Sequence, residues 1–264
     1  MSLHDMEAHP DERYYARQYW HWLEPEVGRL AEATEPRVLD IGCGQGRMSL
    51  PVARALPHGR VIGVDLTGPA IAAARAKAAH SGLKNVDFHE ADAVAFLESQ
   101  GTESFDLALM TEVSFFMPRF GEAIAATRRL LKNDGVLFAS FRSQYYYLLH
   151  SVRDRDWRSA RLAVEARQGE WGGSSAWFSW QTPEDVLAIL KENGFSTIAP
   201  LRGIGVCSGI ANDPLDAIAR PSALTDREQE QLMDLELSLS EEYAAAGRYI
   251  LAVAKKHQSE ATTE

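Results

Sequence analysis

A run of alternating glycines behind an aspartate has the residue types and spacing to do chemistry. In "VLDIGCGQGRMSLPVARAL", Asp40 stands two residues ahead of Gly42, and Gly44 and Gly46 follow at alternate positions. A glycine turn between a strand and a helix usually offers backbone N–H groups to phosphate. An aspartate at its start repels phosphate. The dinucleotide fingerprint needs glycines at relative positions 1, 3 and 6. Counted from Gly42 the sixth position is Arg47, and from Gly44 it is Ser49, so neither frame fits. Glycines let a ligand lie directly on the backbone, and a carboxylate in a partly desolvated crevice attracts a cation more strongly than it does in water. Asp40-x-Gly42-x-Gly44-x-Gly46 therefore suits a zwitterion with a cationic group; a generic tight turn is the alternative.

Three more acidic residues close apolar runs further along. Asp65 ends "VIGVD", 25 positions after Asp40 (65 − 40), Asp92 lies in "HEADA" and Glu112 in "MTEVSFFMP". An ionised carboxylate only accepts hydrogen bonds, so Asp65 at a crevice could hold both hydroxyls of a sugar. Asp65 and Asp92 could instead cap helices, and Glu112 could be a solvated carboxylate at a helix start. Candidate proton acceptors are His150, His21 and Glu112, although a lone histidine is more often a surface or packing residue.

The elements that position these residues alternate from residue 36 onward. Apolar runs "RVLDIG", "RVIGVDL", "NVDFHEAD", "SFDLALMTE" and "VLFASFR" read as buried strands. Between them "RMSLPVARALP", "GPAIAAARAKAAHSG", "AVAFLESQ" and "FGEAIAATRRLLKNDG" read as helices, the second ending at Gly82 and the last at Asp134-Gly135. Such alternation means a parallel sheet covered by helices on both faces. Further on, "TPEDVLAILKENGF" is a helix with Thr182 as cap, Pro183 in the first turn and Gly194 at its end. "STIAPLRGI" and "RYILAVAKK" read as two more strands, and "TDREQEQLMDLELSLSEEYAAAG" as a helix with Leu232, Leu235, Leu239 and Tyr243 on one face. The tail "HQSEATTE" reads as disordered.

Two stretches are rich in aromatic residues. "RYYARQYWHWLEPEV" sets Tyr14, Tyr15, Tyr19, Trp20 and Trp22 on a helix, either cementing it to the sheet or covering a ligand. Residues 143–181 hold four of the six tryptophans in a long irregular segment, which in a compact domain is usually functional. Tyr145, Tyr146, Tyr147, His150, Trp177 and Trp180 face the same choice between core and lid. Gly169, Gly172 and Gly173 could act as hinges, and Arg142, Arg153, Arg155, Arg158 and Arg161 could hold an acidic group.

Composition narrows the field. Hydrophobic residues make up 45% and charged residues 24%, as in an ordinary soluble globular protein. A net charge of −10 argues against a broad nucleic-acid surface. Cys43 and Cys207 are the only cysteines and form no CxxC or Cys/His cluster, so neither a disulfide framework nor a metal site is expected. The start "MSLHDMEAHPDERYY" is too polar for a signal peptide, and no apolar run reaches the ~18 residues of a membrane span. A cytoplasmic protein is expected.

"VLDIGCGQG" resembles motif I of the class I S-adenosylmethionine-dependent methyltransferases. Their ligand carries an amino group, a carboxylate and a sulfonium but no phosphate. The resemblance covers roughly residues 36 to 202 and the last strand. It implies an α/β fold, a three-layer Rossmann-like seven-stranded sheet of order 3-2-1-4-5-7-6 with the last strand antiparallel. It also implies an N-terminal helical cap over 1–35, a methyltransferase domain over 36–264, a substrate lid at 143–181 after strand five, and a helical insertion at 204–247. S-adenosylmethionine, leaving as S-adenosylhomocysteine, would meet Asp40, Gly42, Cys43, Gly44, Gly46, Asp65, Leu66, Asp92, Ala93 and Thr111. Asp65 would take the ribose, and Asp92 with Ala93 the adenine. The acceptor would meet Tyr19, Trp22, Arg142, Tyr146, Trp177 and Trp180.

The implied reaction is in-line displacement at the sulfonium methyl by an oxygen or nitrogen of a small organic acceptor. It needs positioning and water exclusion above all. No nucleic acid, membrane or metal is implied, and a homodimer is compatible. The alternatives are a methyltransferase acting on RNA or protein, disfavoured by charge, and a metal-dependent catechol-type enzyme, for which "TEVSFFMP" offers only Glu112. A non-catalytic protein of the same fold that binds S-adenosylmethionine is a third, since fold does not fix function.

Overall fold

The computed structural model describes residues 9–102, 104–171 and 175–256. The chain opens with α1 (Pro10–Ala31), whose first helical position is a proline and whose inner face buries Tyr14, Tyr15, Tyr19, Leu23, Val27 and Leu30. There follow β1 (Arg37–Ile41), α2 (Ser49–Ala55), β2 (Arg60–Asp65), α3 (Gly68–His80), β3 (Val86–Glu90), α4 (Ala93–Ser99), β4 (Phe105–Met110), α5 (Phe120–Leu130) and β5 (Leu131–Arg142). Strands β1, β2, β3, β4 and β5 run parallel, with Asp40 beside Gly63 of β2 and Leu109 of β4. Buried on both faces, they need the continuous apolar runs seen in the sequence. One face packs against α1, α2 and α3, the other against α4 and α5.

Helix α5 stops earlier than expected. Leu131 already pairs with Phe105 of β4, and the ladder resumes at Val136 opposite Leu107, so Lys132–Gly135 bulge out of the strand instead of finishing the helix. A buried Leu131 on the sheet outweighs one more helical turn.

Residues 143–181 are more regular than the sequence suggested. They form α6 (Gln144–Arg153), α7 (Trp157–Glu165) and an antiparallel pair, β6 (Gln168–Glu170) with β7 (Trp177–Ser179). Tyr147, Ala163 and Trp180 make a small core between them. Gly169 lies inside that pair, opposite Phe178, rather than at a hinge. Gly172, Gly173 and the tail 257–264 lie outside the described residues.

Helix α8 (Pro183–Glu192) carries a full capping box: Asp185 N–H donates to Thr182 Oγ1 and Thr182 N–H to Asp185 Oδ2. The strand expected at "STIAPLRGI" is two short ones, β8 (Phe195–Thr197) and β9 (Arg202–Ile204). Both pair with the last strand, which comes after α9 (Asp226–Leu239) and is β10 (Tyr249–Lys256), antiparallel to β5. The resulting sheet has eight strands in the order β3-β2-β1-β4-β5-β10-β8, with β9 also on β10. The order is the expected one, with strand six broken in two.

Helix α9 buries only part of the stripe expected. Met233 and Glu236 face inward and Leu232 packs against the core, while Leu235 and, past the end of the helix, Tyr243 are exposed. The reason is polar. Glu236 accepts hydrogen bonds from Tyr14 Oη, Gln18 Nε2, Ser208 Oγ and the Cys207 backbone N–H. A buried carboxylate with four donors fixes the register of α9 against α1. No helix among the described residues is long and apolar enough to cross a membrane.

Candidate active site

At the carboxyl ends of β1, β2, β3 and β4 lies a cavity of about 600 Å³. In an open α/β sheet this edge, where neighbouring connections diverge, is where ligands bind. The cavity is lined by Asp40, Gly42, Cys43, Gly44, Asp65, Leu66, Asp92, Ala93, Thr111 and Glu112 among others. Of the cofactor residues expected from the sequence, only Gly46 is missing from the wall.

The three glycines are not equivalent. Gly42 and Gly46 have φ of +70° and +84°. A Cβ on Gly42 would meet Val113, and one on Gly46 would meet Leu50 and Phe88. Packing as well as conformation requires glycine there. Gly44, at φ +53°, has nothing within 4 Å of where its Cβ would be. Of the three, it alone opens to free space.

Asp65 ties the loop down. Its Oδ2 accepts the Gly44 N–H at 3.0 Å and its Oδ1 the Thr67 N–H at 2.8 Å. Position 67, not 65, precedes helix α3, so Asp65 is not that helix's cap. Asp92 does both jobs left open by the sequence. It caps α4 by accepting the Ala95 N–H at 2.9 Å and also lines the cavity. Leu66 stands at the rim, 73% exposed.

Asp40 is 1% exposed and accepts the Ser49 hydroxyl at 2.5 Å. Burial raises its pKa to about 6 against the opposing hydrogen bond from Ser49, with the charge of Asp65 adding to the rise. Burial likewise pushes the Cys43 thiol well up, so it is no nucleophile.

On the far side of the cavity an arginine sits between two glutamates. Arg47 Nη2 lies 2.9 Å from Glu112 Oε1, and Arg47 Nη1 lies 3.0 Å from Glu12 Oε2 on α1. Glu112 has φ +55°, unusual for its type, and its N–H donates to Ser140 Oγ at 2.9 Å. Burial alone would raise the Glu112 carboxyl, but the charges of Arg47, Arg248 and Arg142 hold it below the usual carboxylate range. Glu12 goes the other way, raised by burial and by the charge of Glu112. Neither Arg47 nor Glu12 was singled out from the sequence. They lie 35 positions apart and meet only because α1 crosses the glycine loop.

Tyr19 is fully buried, donates to Ser140 Oγ at 3.2 Å, and lies beneath the Arg47 guanidinium. It does not line the cavity but supports the residue that does. Trp22 stacks under Arg202, and His21 is exposed in a separate groove with Trp20, Met48 and Met233. His150 sits on α6, its Nδ1 3.0 Å from Asp154 Oδ2, its pKa lowered by burial and by Arg153. Neither histidine lines the cavity. Trp180 is fully buried, its indole N–H donating to the carbonyls of Ala163 and Ala166 at 3.0 and 2.8 Å, and Trp177 is half-buried in β7. Trp180 is thus part of the small core with Tyr147 and Ala163 rather than a cavity wall.

Arg142, the last residue of β5, is 7% exposed. Its guanidinium carbon lies 4.5, 4.3 and 3.8 Å from the ring centres of Phe115, Tyr146 and Tyr249. One Nη2 hydrogen bond goes to Tyr249 Oη. Among the described residues, no three or more His, Cys, Asp or Glu side chains come together in a group that could hold a metal ion.

A family model described as a methyltransferase domain matches residues 33–194. The ubiquinone biosynthesis O-methyltransferase of Ruegeria sp. is 30% identical over 166 residues, 61% of this chain and 61% of its own length. The nocamycin O-methyltransferase of Saccharothrix syringae is 33% identical over 119 residues, 43% of this chain and 42% of its own. The chain thus matches less than two thirds of the length of either relative. Magnesium protoporphyrin IX methyltransferase from Synechocystis PCC 6803, solved with bound SAH, superposes with a TM-score of 0.59 at 16% identity. That superposition covers 97% of this chain and 89% of the other, a likeness of fold. With the family model spanning most of the chain and the sheet in the order its members share, this protein belongs to the class I S-adenosylmethionine-dependent methyltransferases.

Proposed function

We propose that this chain methylates an oxygen atom of a small organic acceptor. The observation that carries the reading is the cavity wall, on which Asp40, Gly44, Asp65 and Asp92 converge from three successive strand ends. The wall suits the cofactor: an open glycine, a buried carboxylate for an ammonium group, and acceptor-only carboxylates for ribose and adenine. When bound, S-adenosylmethionine supplies a methyl group on a sulfonium that leaves as a neutral thioether. The names of the curated relatives favour oxygen over nitrogen as the target.

The chain's own residues set the conditions. Gly44 lets the ligand lie on the backbone, Asp65 holds both the loop and the ribose, and Phe116, Met117 and Pro118 wall off water on the acceptor side. Glu112 is paired to Arg47 and held anionic, so it is a weak proton acceptor. Among the described residues no imidazole lines the cavity. The acceptor oxygen must then ionise readily by itself, as a phenol, an enol or a carboxylic acid does.

A net charge of −10 supports a small acceptor rather than a nucleic acid. Two free cysteines support a reducing, cytoplasmic setting. The reading is tested by calorimetric titration with S-adenosylhomocysteine. The wild type should bind, and Asp65→Ala should lose roughly 1.5–3 kcal/mol for each charge-assisted hydrogen bond removed. Absence of wild-type binding refutes the reading.

A further inference from the structure

Three arginines lie buried around Glu112, and their partners differ. Arg47 sits between Glu12 and Glu112. Arg248, next to Tyr249 on the approach to β10, pairs with Asp213 at 2.7 Å. Arg142 forms no ion pair with a carboxylate among the described residues. Its Nη2 donates to a neutral phenol, while Nε and Nη1 are buried and make no hydrogen bond with any described residue. The faces of this guanidinium are covered by Phe115, Tyr146 and Tyr249. Such stacking stabilises the charge through the faces but does nothing for the in-plane N–H groups. A buried, unsatisfied charged donor is costly and rarely kept without a use.

Its position supplies a use. Arg142 ends β5, one strand from the Thr111–Glu112 tip of β4 on the crevice edge of the sheet. Phe115, beneath it, stacks on Phe116 at 3.9 Å, and Phe116 lines the cavity. Phe115 and Tyr249 are fully enclosed, whereas Tyr146, on α6 of the lid, is half-buried.

We propose that Arg142 is a specificity-determining residue that anchors a carboxylate group of the methyl acceptor, so that the substrate class is an aromatic or apolar acid. This rests on the small-molecule reading above. A carboxylate matches the planar fork of a guanidinium and is what Arg47 and Arg248 already hold nearby. The aromatic surround of Phe115, Phe116 and Tyr146 takes the body of the acceptor. Movement of the half-buried Tyr146 ring admits it.

The test is calorimetry and thermal shift on the full chain, with and without saturating S-adenosylhomocysteine. The probes are benzoate and phenylacetate, each set against its uncharged amide. The wild type should bind the acids at least tenfold more tightly than the amides. Arg142→Met should erase that preference while leaving S-adenosylhomocysteine affinity within twofold. Arg142→Lys, which keeps the charge but not the fork, should weaken acid binding severalfold, and it stands in if the methionine variant does not fold. Equal binding of acid and amide by the wild type, or a preference that survives Arg142→Met, overturns the proposal. If S-adenosylhomocysteine does not bind but the acid preference holds and depends on Arg142, the anion site stands and the methyltransferase reading falls.

Discussion

Replacing Asp40 with asparagine separates what this residue does for the ligand from what it costs the fold. Burial holds its carboxyl at about 6 rather than 3.8, so folding makes protonation easier than it is in the unfolded chain while leaving the group charged at pH 7.5. An acid whose pKa is raised on folding adds stability while it is protonated. That contribution is complete below about 3.8 and is gone once the pH has risen through about 6. The gap between 3.8 and about 6 amounts to roughly 3 kcal/mol at 1.36 kcal/mol per pH decade. Asparagine resembles the protonated acid at every pH and can still accept the Ser49 hydroxyl. Asp40→Asn should therefore be more stable than the wild type by up to roughly 3 kcal/mol at pH 7.5, with the advantage shrinking below about 1 kcal/mol near pH 4. Urea denaturation at the two pH values measures both differences. The same variant should bind S-adenosylhomocysteine at least tenfold more weakly at pH 7.5, since the ligand's ammonium loses its counter-charge. A variant destabilised equally at both pH values would refute the argument, because the carboxylate would then be stabilising the fold rather than straining it.

The glycine loop and the 143–181 segment give three further expectations. Gly44→Ala should cost only about 1 kcal/mol of stability, for a left-handed residue in open space, yet weaken S-adenosylhomocysteine at least tenfold; unchanged affinity would show that the open side of Gly44 is not a ligand surface. Gly46→Ala, crowding Leu50 and Phe88, should show the reverse balance in the same titration and melt, with the larger loss in stability. Trp180→Phe removes one donor from each of the Ala163 and Ala166 carbonyls, which Gln144 Nε2 and Arg167 Nη1 still serve, and so costs about 1 kcal/mol. Hydrogen exchange should show α6 and α7 loosening while cofactor affinity stays within twofold, and a large affinity loss would mean that this small core and the cavity are coupled.

The cavity wall at the ends of β1, β2 and β3 was legible because it is local. Asp40, Asp65 and Asp92 each stand at the end of a short apolar run, and parallel βα units bring such ends to one edge whatever the helices look like. The surroundings of that wall are assembled by contacts between distant parts of the chain. Glu12 reaches Arg47 from α1, Arg142 stacks on Tyr249, 107 positions away, and Glu236 of α9 binds Tyr14. No periodicity marks these pairs. Aromatic content drew attention to residues 143–181 but could not tell Trp180, which closes a private core, from Phe116, which faces the cavity. The helix α9 stripe was misread in part for the same reason: a buried glutamate with four donors outranked Leu235 and Tyr243.

The broken sixth strand has a consequence for how these molecules behave when crowded. β8 and β9 are three residues each and pair with opposite ends of β10, with Pro200 in the gap and the Ile198 N–H closing it onto the Val253 carbonyl at 2.9 Å. That margin of the sheet offers a passing chain no more than three consecutive unpaired positions. The opposite margin, β3, reads "VDFHE", with His89 and Glu90 exposed and Asp87 tied to Arg60 at 2.5 Å. Short segments, a proline and charges are how sheets refuse edge-to-edge growth. An apolar sheet of eight strands is thereby kept from templating aggregation, at its two ends by different means.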